Sequence, residues 1–216
     1  MKKRDNKKFL NEVERRLKRR YSKEMRTSLE FASPFELLIS TILSAQTTDR
    51  QVNIVTKRLF KEYGTAKIMA SANPAKVRNY IKSIGLYRNK AKNIIAASKC
   101  LVDNYEGMVP RSIEKLVKIP GVGRKTANVV LSNAYHINEG IAIDTHCITV
   151  SNRLGIAKTP DPKRIEADMM EYIDRKEWNN ISHLFIALGR DACTARVKYC
   201  DRCVLNDICP SSTVVK

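Results

Sequence analysis

The sequence has little of what interrupts a helix, with 8 Gly and 7 Pro among 216 residues. Apolar residues recur at helical spacing and no strand-like alternation persists, so an all-α chain is expected. No low-complexity linker separates its parts. The first residues, MKKRDNKKFLNEVERRLKRR, lack the apolar core of a signal peptide, and nothing later reaches the length of a membrane span. These absences leave no candidate for a membrane-spanning helix. They imply a cytoplasmic, nucleoid-associated location if the source is prokaryotic and a nuclear one if it is eukaryotic.

Acidic residues are also scarce, 22 against 40 Lys and Arg, for a formal charge of +18. Such an excess draws a protein to a polyanion by counterion release, with nucleic acid the first expectation and an acidic membrane surface the second. The charge is uneven. Residues 1–27 carry 12 basic and 4 acidic side chains (+8), residues 28–138 carry 17 and 7 (+10), and residues 139–216 carry 11 of each (0). An anion-facing surface should therefore be built mainly by the first two thirds, and the charge change near Asn138-Glu139-Gly140 hints at a domain boundary.

Cys193, Cys200, Cys203 and Cys209 form a C-x6-C-x2-C-x5-C run. In a reducing compartment clustered cysteines read as metal ligands rather than disulfides. Zinc and an iron–sulfur cluster both accept four thiolates, so spacing alone leaves both open. Zinc modules more often show two C-x2-C knuckles, and this run has one. Cys100 and Cys147 stand apart among apolar residues and read as packing.

The first helix carries Leu10, Val13 and Leu17 on one face, a stripe that must dock. Ser33-Pro34-Phe35-Glu36 is a capping box with Pro at the first helical position, opening a helix that runs to about Gln46. Thr48 with Gln51 caps the next, which Gly64 stops, and Asn73-Pro74 starts a third that reaches Gly85. Residues 89–105 and 112–119 read as further helices. Asp161-Pro162 starts another, with Ile165, Met169 and Ile173 on one face, and Ile181, Leu184, Phe185 and Leu188 mark a helix ending at Gly189.

Between two helical segments lies Ile119-Pro120-Gly121-Val122-Gly123-Arg124-Lys125-Thr126-Ala127. The glycines can take positive φ, and their missing side chains let backbone N–H groups reach a phosphate at the next helix's N-terminus. Such a hairpin grips a DNA strand without reading bases. A bare Gly-x-Gly would favour an ordinary interhelical turn, but the full string does not.

With these motifs assembled, the sequence resembles the helix-hairpin-helix DNA glycosylases, and most closely the endonuclease III family. The resemblance runs in order through Ser33-Pro-Phe-Glu-Leu-Leu, Leu43-Ser-Ala-Gln46-Thr-Thr-Asp49, Ile84-Gly-Leu86-Tyr, the hairpin, Ile143-Asp144-Thr-His146 and the four cysteines. It implies a two-lobed all-α fold, with a helical barrel domain at residues 28–138 and an iron–sulfur cluster domain made of residues 1–27 and 139–216, DNA lying across the cleft between them. It implies a monomer acting on double-stranded DNA that contains damaged bases or abasic sites, removing oxidised pyrimidines and cutting at the abasic site.

By the resemblance, Lys125 is the nucleophile and forms a Schiff base with the sugar. That chemistry needs a neutral amine, which a position near a helix N-terminus and partly withdrawn from water would favour. Asp144 is the second catalytic residue, its carboxylate facing oxocarbenium-like charge or assisting proton movement. Read alone, Asp144 is a helix cap and Lys125 a surface lysine. Because a stacked base is out of reach, the nucleotide must be rotated out, and the resemblance assigns Gln46 as a polar plug and Leu86 as an apolar wedge. Read alone, Leu86 is a core residue. Gly121, Val122, Gly123 and Thr126 of the hairpin, with Arg196 and Lys198 of the cysteine loop, are the remaining DNA contacts, and Arg202 offers a further cation. The four cysteines match the family's 4Fe-4S loop. His146 occupies a family position but reads as structural, and His136 and His183 carry no signal.

Three other readings fit parts of the sequence. One is a mismatch-specific adenine or thymine glycosylase of the same superfamily, although the adenine-removing relatives usually carry a further C-terminal domain, for which the residues after Pro210 leave no room. The second is a noncatalytic DNA-binding metalloprotein. The third is a zinc-containing interaction module.

Overall fold

The computed structural model describes the backbone of residues 3–214 and the side chains of residues 6–214. The described residues form helices α1 (Lys3–Tyr21), α2 (Pro34–Leu43), α3 (Asp49–Tyr63), α4 (Ala66–Ala70), α5 (Pro74–Ile81), α6 (Tyr87–Tyr105), α7 (Ile113–Leu116), α8 (Arg124–Tyr135), α9 (Thr145–Arg153), α10 (Pro162–Tyr172) and α11 (Trp178–Asp191). Short 3-10 turns cover Ser22–Glu24, Arg175–Glu177 and Cys200–Arg202. Extended pairing among the described residues is confined to one antiparallel bridge between Cys193 and Lys198. The all-α expectation holds. No described helix is long and apolar enough to cross a membrane.

The helix starts follow from local chemistry. Ser33, Thr48, Thr65, Asn73, Asp144 and Asp161 each accept a bond from an N–H in the following turn, which satisfies donors that a helix cannot satisfy itself and contributes about 1 kcal/mol per cap. The box at Ser33 is displaced by one residue: Glu36 N–H donates to Ser33 Oγ at 3.2 Å, but Glu36 Oε2 accepts from Ala32 N–H at 2.7 Å. The helix that this box opens closes at Leu43, three residues before the expected Gln46, as Ser44 N–H donates to Ser40 and Thr47 N–H to Ser44. Likewise α5 ends at Ile81 rather than Gly85. The short α4 has no counterpart in the sequence reading.

The chain separates into two compact units, a continuous one spanning Ser28–Glu139 and a discontinuous one joining the segment up to Thr27 with that from Gly140 onward. In the continuous unit, α2 packs on α3, α6 and α8, while α6 also lies against α4 and α5. Leu37, Leu38, Ile39 and Leu43 of α2 share its core with Leu59, Ile94, Leu116 and Leu131. Cys100 is half-buried against this core.

In the discontinuous unit, α1 packs on α10 and α11, and α9 packs on the same two helices. The stripe Leu10, Val13 and Leu17 finds its partner here, in a core with Ile165, Met169, Ile181 and Phe185. Burying each such side chain contributes roughly 1.5–3 kcal/mol. The polar flank of α1 holds the cysteine-bearing segment: the Arg16 guanidinium pairs with Asp207 and donates to the Val204 carbonyl at 3.2 Å.

Glu12 completes this arrangement by accepting from Arg15 at 2.7 and 2.8 Å and from Arg16 at 2.7 Å. These two guanidinium groups hold its carboxyl down to about 2. A carboxyl depressed by folding stabilises the protein above its unfolded-state value and loses that contribution as the pH falls through the folded value. Glu12→Gln is expected to lower the melting temperature by a constant margin above about pH 5, with the margin closing toward pH 2. Melting curves of both proteins across this range check it, and added salt should shrink the margin because the group is partly exposed.

Candidate functional site

The hairpin connects α7 to α8 and lies entirely within the continuous unit. Gly121 has φ +79°, and a Cβ there would also lie 3.1 Å from Asn93 Cβ on α6, so both backbone conformation and packing require glycine. Gly123 differs from the expectation. Its φ is −90° with ψ 173°, an ordinary extended conformation, and a Cβ there would meet nothing within 4 Å. What glycine leaves at Gly123 is open space in front of the α8 N-terminus, where no side chain caps the helix. Val122 is 6% exposed, its side chain belongs to the core, and its N–H donates to the Ile119 carbonyl at 3.1 Å, so it braces the turn from within. Thr126 is half-buried.

Lys125 is the second residue of α8 and is exposed. The expected helix N-terminus is present, whereas the expected partial withdrawal from water is not.

Asp144 belongs to the discontinuous unit and is the N-cap of α9, with Oδ1 accepting from Cys147 N–H at 2.8 Å. The segment that delivers it is held on both sides. Ile141 and Ile143 are buried, Ile141 N–H donates to Glu166 Oε1 at 3.1 Å, and Ser182 Oγ donates to the Ala142 carbonyl at 2.6 Å. Glu166 is 4% exposed. The sequence reading missed both supports, because an acid beside Ile165 in an amphipathic helix and a serine in α11 look like ordinary flank residues. Cys147 is fully buried below the cap, and burial, with the Asp144 carboxylate second, pushes its thiol pKa up. It is packing, as expected.

The turns carrying Gln46 and Leu86 are brought together. Both residues are left-handed, with φ 54° and 58°, and neither is a glycine. This backbone costs an L-residue roughly 1–2 kcal/mol, and it persists only where the surroundings over-determine it. The Gln46 carbonyl lies 3.9 Å from the Cβ position of Gly85, and Gln51 Nε2 donates to Ser83 Oγ at 2.8 Å. Leu86 is 62% exposed, so the core position expected from sequence alone is not what it occupies. Gln46 is exposed as well.

The four cysteines lie in the segment after α11 and none is in a disulfide. Cys193, Cys203 and Cys209 pack against the core of the discontinuous unit. Each of Cys203 and Cys209 has its pKa raised first by burial and then by the charges of the other cysteines, which puts the sulfurs within electrostatic reach of one another. Arg153 Nη1 donates to Cys193 Sγ at 3.2 Å and to the Thr194 carbonyl at 2.7 Å. No three His, Cys, Asp or Glu side chains among the described residues are drawn in tightly enough to form a metal-holding group. As a donor set, four thiols outside any disulfide on one loop, with Arg153 bonded to the first and last of them, fit a tetrathiolate-bound centre.

Of the loop's cations, Arg196 is exposed. Lys198 is half-buried and donates to the Ser211 carbonyl at 2.8 Å, so its first partner is the loop itself. Arg202 lies over the Tyr199 ring and beside Asp191.

This all-helical architecture with a Gly-x-Gly hairpin is matched over residues 39–175 by the family model for the HhH-GPD superfamily base excision DNA repair protein. An endonuclease III of Synechocystis sp. is 45% identical over 86% of this chain and 84% of its own length. The endonuclease III of Bacillus subtilis is 44% identical over 84% of this chain and 83% of its own. Among solved structures, a trapped endonuclease III–DNA covalent intermediate superposes with a TM-score of 0.88 at 40% identity, covering 98% of this chain and 97% of that one. A thermostable thymine-DNA glycosylase superposes at 0.79 but with 19% identity, a likeness of fold alone. The chain belongs to the endonuclease III family of the HhH-GPD superfamily.

His146 packs against α11, which continues through Gly189 to Asp191 instead of stopping at the glycine. A Cβ at Gly189 would lie 2.7 Å from His146 Cβ and 2.8 Å from its Nδ1. The glycine thus serves close packing rather than termination, and it seats the residue two positions after Asp144. Gly189→Ala is expected to destabilise by about 1–3 kcal/mol, and His146→Ala in the same chain should recover only the part due to the ring, since alanine keeps the Cβ that lies 2.7 Å away. Denaturant unfolding of the two single variants and the double variant measures the coupling.

Proposed function

We propose that the protein is a bifunctional DNA glycosylase and abasic-site lyase of base-excision repair, removing oxidised pyrimidines from duplex DNA. The observation that carries this reading is Lys125 itself, an exposed lysine in the first turn of α8, directly behind a hairpin whose Gly121 is fixed at positive φ and whose Gly123 leaves the helix N-terminus open. The open N-terminus suits a phosphate, which positions the sugar beside the amine. The Lys125 Nζ lone pair forms a bond to C1′ and the base departs with the electrons of the glycosidic bond, taking a proton. The nitrogen gives up a proton, and the C1′–O4′ bond of the sugar ring opens as the ring oxygen takes one, leaving an iminium that acidifies the C2′ proton, whose loss expels the 3′ phosphate and cuts the strand. A relative, an endonuclease III, has been trapped as a covalent DNA intermediate, which favours an amine-mediated route over direct attack by water.

Asp144 supplies a carboxylate whose position is fixed by its cap bond, and in this reading it stabilises positive charge developing on the sugar. Gln46 and Leu86 enter the space left by the rotated nucleotide, one polar and one apolar. Their exposure and strained backbone are what a wedge requires, since an exposed leucine at positive φ has no packing reason to be there. Gly121 and Gly123 present backbone N–H groups, Val122, whose N–H donates to the Ile119 carbonyl at 3.1 Å, holds the turn's shape, and Thr126 and Arg196 add side-chain contacts. Lys198 reaches DNA only by leaving its Ser211 bond. Cys193, Cys200, Cys203 and Cys209 would hold a 4Fe-4S cluster, which when bound supplies four iron–thiolate bonds that brace the loop.

Borohydride trapping on a duplex holding one oxidised thymine or one abasic site tests the chemistry. A covalent adduct should form on both substrates and vanish in Lys125→Ala, while that variant still binds the abasic duplex. An adduct on the abasic site alone would reduce the activity to a lyase, and none on either would overturn the amine route. The cluster is checked by visible absorbance: the purified protein should be brown and Cys203→Ala should lose most of the band, whereas a zinc site would leave both colourless.

A further inference from the structure

We infer that Lys90 is a positioning residue that clamps the Gln46 turn to the Leu86 turn and so sets the wedge before DNA arrives. This deepens the reading above and rests on the wedge roles of Gln46 and Leu86. Lys90 lies in the first turn of α6, four residues beyond Leu86, whose carbonyl accepts its backbone N–H at 3.0 Å. Its side chain does not go to solvent: the residue is 4% exposed, where a lysine is seldom found without a committed set of partners. Nζ donates to the Leu43 carbonyl at 2.8 Å, the Ala45 carbonyl at 2.6 Å and Thr47 Oγ1 at 2.8 Å. An ammonium has three protons, and all three are used.

The positions of these acceptors matter more than their number. Leu43 is the last residue of α2, and Ala45 and Thr47 are the neighbours of Gln46 on either side. One buried ammonium therefore grips the chain immediately before and immediately after the left-handed Gln46, while its own backbone is bonded to the left-handed Leu86. Neither residue would hold a positive φ without such over-determination. The carbonyl end of α2 carries partial negative charge, which offsets the cost of burying a cation. That cost is visible in the direction of the Lys90 pKa, which burial lowers. No carboxylate shares the site among its recorded partners. A lysine that served only to fill core space would be replaceable by methionine, with the two turns free to part slightly.

The experiment compares Lys90→Met, Thr47→Val, Gln46→Ala and Leu86→Ala in the full chain with wild type. Three quantities are read: single-turnover excision of an oxidised thymine in a duplex, the fluorescence rise of 2-aminopurine placed opposite it, and borohydride trapping on a single-stranded abasic oligonucleotide that needs no extrusion. Lys90→Met should slow duplex excision and the fluorescence rise together by about tenfold or more, while single-strand trapping falls by less than about threefold, because an ångström-scale misplacement acts on extrusion alone. Thr47→Val, which removes one acceptor of three, should show the same split at smaller size.

Equal losses on both substrates, or no loss on either, would overturn the inference and leave Lys90 a core residue. If Lys90→Met does not fold, Thr47→Val decides, and an unchanged ratio of duplex excision to single-strand trapping overturns the clamp. If Gln46→Ala and Leu86→Ala leave the fluorescence rise unaltered, the wedge reading fails and the inference falls with it. If they abolish the rise and Lys90→Met does not change it, the inference fails alone.

Discussion

The burial of three aliphatic side chains of α1 is the interaction on which the discontinuous unit depends. Leu10, Val13 and Leu17 reach across more than a hundred residues of sequence to pack with Ile181 and Phe185, and nothing local compensates if they do not. The remainder of α1 is so heavily charged that an isolated helix would expose a narrow apolar stripe to water with little to gain. Docking also brings Arg16 to Asp207 and to the Val204 carbonyl, which lie between the last two cysteines. The same helix therefore closes a core with one face and steadies the cysteine loop with another. A substitution in its apolar stripe would loosen both at once.

The residues proposed above for catalysis and DNA binding sit on elements whose ends are unusually well specified. Asp144 is a cap, Lys125 follows a hairpin glycine that no other residue could replace without strain, and Leu86 stands at the start of α6. In each case the backbone position is fixed by secondary structure. The Asp144 carboxylate is held in place by its cap, because leaving would unpair the Cys147 N–H. Rigidity in this protein is obtained from helix ends rather than from a sheet.

How much of this was legible in the sequence varied with the range of the interaction responsible. Caps are local, so Ser33, Thr48, Asn73 and Asp161 declared the starts of their helices, and the apolar stripes of α1, α10 and α11 declared their buried faces. The all-helical class and the family followed from motifs in order. What escaped depended on distant partners. Gly189 looks like a helix stop, and only the His146 ring packed on it explains a glycine inside α11. Leu86 looks like a core leucine because exposure and positive φ at a non-glycine residue are imposed by neighbours. Lys90 is one basic residue among many in Arg88-Asn-Lys90-Ala-Lys92, and nothing in that string marks which of the cations turns inward. Gly123 was read as a conformational glycine, but its dihedrals are ordinary and its value lies in the room it leaves.

In the wedge role proposed above, the two left-handed residues have a thermodynamic consequence for any encounter with DNA. A flexible wedge would have to be ordered each time it entered the stack, at a cost of about 1–2 kcal/mol per residue fixed, and that toll would recur at every base pair tested. With Gln46 and Leu86 already fixed, the ordering entropy and backbone strain are met once, when the chain folds, and are common to the free and bound states. They then cancel from every comparison between an intact and a damaged pair. Discrimination is left to the stability of the pair itself, which is the quantity that damage alters.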